Sequence, residues 1–190
     1  MDRWEGMDQR VSISYDFKDF NSDVRLEGGN ASLVPDVGSR PVGLSYHLIN
    51  KEDVAQGQAT IGYYKNFETS GKNSQEVYRQ VNPMAPVEFD LVKFTSSFSN
   101  QLAGDWRYTL AFDGQMSGDS LISGEQFGAG GIYSVRGFEE RVISADSGAR
   151  VSLEFLSGNR NEWVKDWLPR VNFVAFLEGA RLGLNSPPPG

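Results

Sequence analysis

Residues 10–18 read Arg10-Val11-Ser12-Ile13-Ser14-Tyr15-Asp16-Phe17-Lys18. Val11, Ile13, Tyr15 and Phe17 fall on one side of an extended chain, and Ser12, Ser14, Asp16 and Lys18 on the other, because successive side chains of a strand point to opposite faces. The alternation returns at 57–67, where Ala59, Ile61, Tyr63 and Phe67 oppose Gln58, Thr60, Tyr64 and Asn66. It returns at 105–113, with Trp106, Tyr108, Leu110 and Phe112 against Asp105, Arg107, Thr109 and Asp113. At 149–155 Val151, Leu153 and Phe155 oppose Arg150, Ser152 and Glu154. Mixed candidates lie at 23–28, 41–50, 87–99 and 170–181, which makes about eight strands. No stretch of about 12 residues keeps a helical period.

The connections sort into two lengths. Short ones at 19–22, 51–56 and 100–104 alternate with long ones at 29–40, 68–86 and 117–146, the layout of an outer-membrane barrel with short turns on one side and long loops on the other. A soluble sandwich has no need of that sorting. The link 158–169 breaks the scheme: it should be a short turn, and its Trp163, Trp167 and Pro169 suit a membrane interface. A soluble barrel turns its apolar side inward and a membrane barrel turns it outward, so patterning leaves the direction open. Length favours the membrane, since segments of about 10–12 residues match a tilted crossing and soluble strands average about 5–6. The fold class expected is all-β, a transmembrane antiparallel β-barrel.

Composition narrows the function. The 190 residues carry 18 Lys and Arg against 25 Asp and Glu, a net charge of −7, which argues against nucleic acid as a partner. Cysteine is absent, which excludes disulfides and a thiol nucleophile. The single histidine, His47, sits in an alternating strand and reads as a lumen or interface side chain rather than a base. Mean hydropathy is −0.42, and no run approaches the roughly 18 apolar residues of a spanning helix. The opening Met1-Asp2-Arg3-Trp4 shows no basic and apolar leader pattern. Asn30-Ala31-Ser32 matches a glycosylation sequon that a three-residue pattern meets readily by coincidence, and Asp105 and Asp113 read as solvated channel lining.

The long connection 117–146 contains Gly124-Glu125-Gln126-Phe127-Gly128-Ala129-Gly130-Gly131, then Val135-Arg136-Gly137-Phe138. A phosphate cradle needs a strand–loop–helix context that this glycine run lacks. The combination instead resembles the signature of the two-partner secretion (TpsB-type) transporters, the haemolysin secretion/activation proteins, within the superfamily that also holds the outer-membrane assembly barrels. In that family Val-Arg-Gly-Phe or -Tyr sits at the tip of a long extracellular loop folded back into the lumen. A second family motif, Phe-x-Asp-x-Gly on a later strand, has its counterpart at Phe176-Leu177-Glu178-Gly179-Ala180. Glu stands there for Asp, Ala for the final Gly, and a glycine comes one place early. The likeness is densest over 88–181 and looser over 9–50, through Tyr15-Asp16-Phe17-Lys18-Asp19-Phe20 and Leu33-Val34-Pro35-Asp36.

If Val171, Phe173, Ala175 and Leu177 face lipid, Phe176 and Glu178 face the lumen. The resemblance then makes Glu178 the natural partner of Arg136, whose planar fork can lock one loop geometry. Gly137 would permit a tight tip and Phe138 would give an apolar anchor. Glu154 also faces inward and is the other candidate acid; spacing does not choose between them.

The resemblance implies about half of a sixteen-stranded outer-membrane barrel, with 1–190 as part of the C-terminal barrel domain and with two POTRA domains and the last strands outside the chain. The end, Asn185-Ser186-Pro187-Pro188-Pro189-Gly190, reads as a loop cut short. It implies a secreted exoprotein (TpsA-type) as substrate, outer-membrane lipid around the barrel, a monomer when full length, transport without ATP, and no cofactor, metal or catalytic residue. Alternatives are a barrel that inserts other outer-membrane proteins, a small self-contained surface barrel, and a soluble β-binding protein.

Overall fold

The computed structural model describes residues 7–22, 34–51, 55–132, 134–160 and 170–186. In chain order the strands are β1 (Met7–Tyr15), β2 (Lys18–Phe20), β3 (Val37–Ser39), β4 (Pro41–Lys51), β5 (Ala55–Asn66), β6 (Asp90–Gln101), β7 (Arg107–Met116), β8 (Phe127–Ala129), β9 (Ile143–Ala145), β10 (Ser147–Leu156) and β11 (Val174–Gly183). One helix of seven residues, α1 (Gln75–Val81), lies between β5 and β6. Seven strands form one antiparallel sheet in the order β1-β4-β5-β6-β7-β10-β11, and β2–β3 and β8–β9 are small separate hairpins.

The sequence reading needs correction at several points. β1 pairs directly with β4, so 16–40 is one long connection and no short turn falls at 19–22; the expected strand 23–28 lies outside the described residues, as does the sequon at 30–32. The sheet therefore has seven strands rather than eight among the described residues. Phe17 has left β1, and the Arg40 guanidinium sits 3.3 Å from its ring centroid. Asp105 is in the one-turn helix Ala103–Asp105, outside β7, and Asp113 is not simply solvated lining, because it accepts a hydrogen bond from Arg150 Nε at 2.9 Å. Pairing of β10 with β11 continues past the strand ends into the link, with Ser157 N donating to Phe173 O at 2.9 Å and Arg160 N to Val171 O at 2.6 Å, so the unpaired part of the link is shorter than 158–169 suggests. Its Trp163, Trp167 and Pro169 lie outside the described residues.

The register separates the two faces cleanly. Arg10, His47, Thr60, Thr95, Asp113 and Arg150 stand in one row across six strands, while the adjacent row begins Val11, Tyr46, Ile61 and Phe94. Directly paired residues share a face, so alternation along each strand becomes an apolar face and a polar face of the whole sheet. The apolar face is uncovered, with Ile13 80% and Leu177 74% exposed, whereas the long connections fold onto the polar face. That fixes the direction left open by patterning: the apolar face is the outer, lipid-facing wall, as in membrane barrels. His47 lies on the inner face, hydrogen-bonded to Ser12 at 3.1 Å and Thr60 at 3.0 Å.

Among the described residues the hydrophobic core gathers at one end of the sheet. Val37, Tyr78, Ala85, Val87, Phe89, Leu91, Leu121 and Ile122 are buried together, with Phe20, Tyr64, Val77 and Val81 packed against them. These residues come from all three long connections and from the inward-facing ends of β5 and β6, so the connections form one packed cap. Each large aliphatic or aromatic side chain buried there contributes on the order of 2 kcal/mol. Its polar centre is Asn66, which accepts from Arg40 N at 2.6 Å and donates to Asn73 Oδ1 at 2.8 Å and Val87 O at 2.7 Å. Burial holds the Tyr78 hydroxyl above its ordinary pKa, and the charge of Glu125 adds to this.

Candidate functional site

The connection 117–146 has a root and a tip. The root is tied by β8–β9 pairing and by Gln115 Nε2, which donates to Glu125 O at 2.9 Å and Asp146 O at 3.1 Å. Asp146 in turn accepts from Leu121 N at 2.8 Å and Gln126 Nε2 at 3.1 Å. The Phe127 ring packs close over Gly148 of the sheet, where a Cβ would sit 2.6 Å from it. The tip, 130–142, starts at Gly130 with φ +117°, where a Cβ would meet Glu139 O at 2.3 Å, so no other residue fits.

The tip rests on the polar face of β10 and β11. Arg136 Nε donates to Glu178 Oε1 at 2.7 Å, Nη2 approaches the same oxygen at 2.6 Å, and the Arg136 backbone N–H donates to Glu178 Oε2 at 2.7 Å. Nη1 donates to Glu154 Oε2 at 2.8 Å. The guanidinium lies 3.5 Å from the Phe176 ring centroid, and Ser152 Oγ donates to Glu178 Oε1 at 3.2 Å. The two candidate acids are thus joined: one fork holds both, on adjacent strands. Glu178 is 7% exposed, against 37% for Glu154, so Glu178 is the tighter partner. Its hydrogen bond is the main reason Arg136 holds its proton above the ordinary arginine range; burial opposes this and Glu154 adds to it. The clasp contains two carboxylates and one cation and can open and close without covalent change.

Other sequence candidates are placed differently from expectation. Phe138 is 63% exposed and forms, with Val135, Ala129, Val142 and Ala180, part of the lining of an apolar recess of about 400 Å³. Gly179 belongs to the outer-facing row opposite Val151, with open space around it, so it does not stand in for the missing motif glycine; Ala180 holds the inward position. Gln126 links Asp146 to Ser144, Gly128 passes against the Arg141 side chain, and Gly131 takes φ +93° beside Glu140. Glu125 is buried and chelated from outside its own loop: Lys18 Nζ reaches both carboxylate oxygens at 2.9 and 3.0 Å, and Ser39 Oγ donates to one of them. Sequence reasoning missed Lys18, Ser39, Ser152 and the stacking role of Phe176; for Ser152 and Phe176 the inward phase of their strands was the available signal. Among the described residues no cluster of His, Cys, Asp or Glu could hold a metal, and no helix is long and apolar enough to cross a membrane.

An outward-greasy antiparallel wall with a polar inner face is part of a transmembrane β-barrel of the outer-membrane class. The family model for the haemolysin secretion/activation proteins ShlB/FhaC/HecB matches residues 36–167, and the chain belongs to that family of two-partner secretion transporters of the bacterial outer membrane. It is 27% identical over 155 residues to the outer membrane transporter CdiB of Dickeya dadantii (strain 3937), covering 80% of this chain and 27% of that protein. Its fold matches CdiB from Escherichia coli with a TM-score of 0.73 at 20% identity, over 97% of this chain and 33% of that one. CdiB from Acinetobacter baumannii matches with a TM-score of 0.63 at 18% identity, over 95% and 30%. The chain thus spans about a third or less of each relative.

Proposed function

We propose that this chain is part of the barrel wall of a transporter that moves a large exoprotein of the TpsA type, a haemolysin, adhesin or contact-dependent toxin, through its lumen to the cell surface. The partner crosses in extended form and without ATP, since the lumen offers binding and release rather than chemistry. In this reading 117–146 is the long extracellular loop folded into the lumen, and the whole protein works as a monomer surrounded by outer-membrane lipid. Val135-Arg136-Gly137-Phe138 and Phe176-Leu177-Glu178 are its two lock elements, and the lock sets the barrel conformation that supports secretion. The observation that carries the reading is the Arg136 fork spanning Glu178 and Glu154, a contact that ties a surface loop to the inner face of two strands. The test replaces Arg136 or Glu178 by alanine in the intact outer-membrane protein and follows exoprotein secretion separately from barrel insertion, read by heat-modifiable mobility. Secretion lost with insertion intact supports the lock; normal secretion in both variants sinks it.

A further inference from the structure

The glycine-rich lead-in carries an acid, Glu125, that the lock does not use. Its side chain is 1% exposed, which is unusual for a carboxylate unless it is fully paired. The pairing is present and long-range. Lys18 of β2 takes both oxygens at 2.9 and 3.0 Å, and Ser39 of β3 donates a further hydrogen bond. Those two residues belong to the hairpin at the base of the first long connection, and the same hairpin is held by Arg40, which donates to Lys18 O at 2.5 Å and to Asp19 Oδ1 at 2.7 Å. The root of the loop is therefore fastened to the packed cap by a buried charge, not by its own strands alone.

The contrast with the tip is sharp. All described positive-φ residues of this loop lie in 130–142: Gly130, Gly131, Gly137 and Arg141, the last at φ +48°. The clasp at the tip is partly exposed, with the Arg136 side chain at 25%. The left-handed glycines of the loop thus start at Gly130, and the exposed residues of the tip, Ile132 and Phe138 at 70% and 63%, follow them.

We propose that Glu125 is a positioning residue for the loop: its clamp on Lys18 and Ser39 fixes the root, so that only the 130–142 tip swings, and sets where Arg136 arrives on β11. The inference rests on the secretion reading for its biological consequence, but not for its geometric one. The loop works as a hinged arm rather than as a strap that leaves the lumen whole.

The test uses the intact protein in outer membrane, with spin labels on Ile132→Cys in the tip and Leu177→Cys on the outer face of β11; the absence of native cysteine in this chain keeps the labels unique within it. Glu125→Gln removes the charge that holds Lys18, Lys18→Met leaves the buried Glu125 carboxylate without its cation, and Lys18→Glu combined with Glu125→Lys restores a pair with the charges exchanged. The expected result is one narrow distance distribution in the parent, a broadened one in each single variant with secretion lowered about tenfold or more, and recovery of both in the exchanged pair. Unchanged distributions in both single variants overturn the proposal. If the single variants fail to insert, the exchanged pair decides: insertion with a narrow distribution supports positioning, and failure to insert reduces Glu125 to a folding element and overturns it. Arg136→Ala in the same labelled background separates this question from the lock. Normal secretion there would remove the lock as the working element, while the distances in the Glu125→Gln protein would still judge the root clamp.

Discussion

Replacing Arg136 by lysine separates the geometry of the clasp from its charge. Lysine keeps a positive charge but offers one ammonium, which cannot donate twice to Glu178 at 2.7 and 2.6 Å, reach Glu154 at 2.8 Å, and cover the Phe176 ring at 3.5 Å. Charge-assisted hydrogen bonds contribute about 1.5–3 kcal/mol each, and the stacked cation about 0.5–2 kcal/mol. The Glu154 bond is partly exposed and is discounted toward the value of a surface pair. With one bond to Glu178 kept, the net loss is about 2–3 kcal/mol. The backbone supplies the readout, because the Arg136 N–H itself donates to Glu178 Oε2 at 2.7 Å and exchanges with solvent only when the tip lifts. A loss of that size raises its exchange rate by roughly 30–150-fold. Peptide-resolved hydrogen–deuterium exchange over 134–142, in the intact barrel with β6 as internal control, measures it. Exchange at the parental rate in Arg136→Lys would refute the reasoning, and would mean that charge alone, or the root, keeps the tip down.

Further outcomes can be measured on the same protein. Glu154→Gln should change tip exchange by less than about fivefold, because that acid is partly in solvent; an effect equal to that of Glu178→Gln would reverse the ranking of the two acids. Gly130→Ala places a Cβ 2.3 Å from Glu139 O at φ +117°, so the tip should be displaced at a cost of at least about 1–3 kcal/mol; parental exchange at 134–142 would contradict this. Ile13→Lys sets a charge on the outer wall and should hinder insertion by about 2–4 kcal/mol near mid-membrane, whereas Ser12→Lys, one residue away on the inner face, should insert normally; equal behaviour would mean the faces are misassigned. Asp19 is held below its ordinary pKa of 3.8 chiefly by the Arg40 hydrogen bond, and Asp36 by Lys72 and then by the Ser22 amide. A depressed folded pKa stabilises the cap above the ordinary value and loses that stabilisation as pH falls through the folded one. Proteolysis of 16–40 and 67–89 should therefore accelerate below about pH 4 and stay flat from neutrality down to that point.

How much of this was legible in the sequence depends on how local the cause is. The wall was legible because a two-residue period is a local property, and Val11, Ile13 and Tyr15 announce it within five positions. The direction of the wall was not, since the same alternation serves a soluble barrel; it emerges only when the long connections are seen against Ser152, Glu154 and Glu178. The cap was illegible for the opposite reason. Its core draws Val37, Tyr78, Phe89 and Leu121 from distant segments, α1 is two turns long, and β2 and β3 are three residues each, so no window carries a period. The Lys18–Glu125 contact joins residues 107 apart in sequence, and nothing in either neighbourhood points to the other. Arg136 entered through family resemblance. The choice between Glu178 and Glu154 could not be made from spacing because it was not a choice: both acids are inward-phased on adjacent strands, and arginine has enough donors for both.

The energy scales of the two fastenings bear on which of them can take part in transport. The root is joined to a cap whose buried aliphatic and aromatic side chains each hold on the order of 2 kcal/mol, and it carries a buried ion pair whose opening would strand a charge at a cost of about 3–5 kcal/mol. The tip clasp lies partly in solvent and holds only a few kcal/mol. A polypeptide segment bound in the lumen at about micromolar affinity makes roughly 8 kcal/mol available, but it shifts the loop only by the difference between its affinities for the open and closed states. A difference of a few kcal/mol suffices to release the tip. Under the proposed function, releasing the root as well would require that difference to cover the Glu125 ion pair and the withdrawal of Leu121 and Ile122 from the core together, several times the cost of lifting the tip.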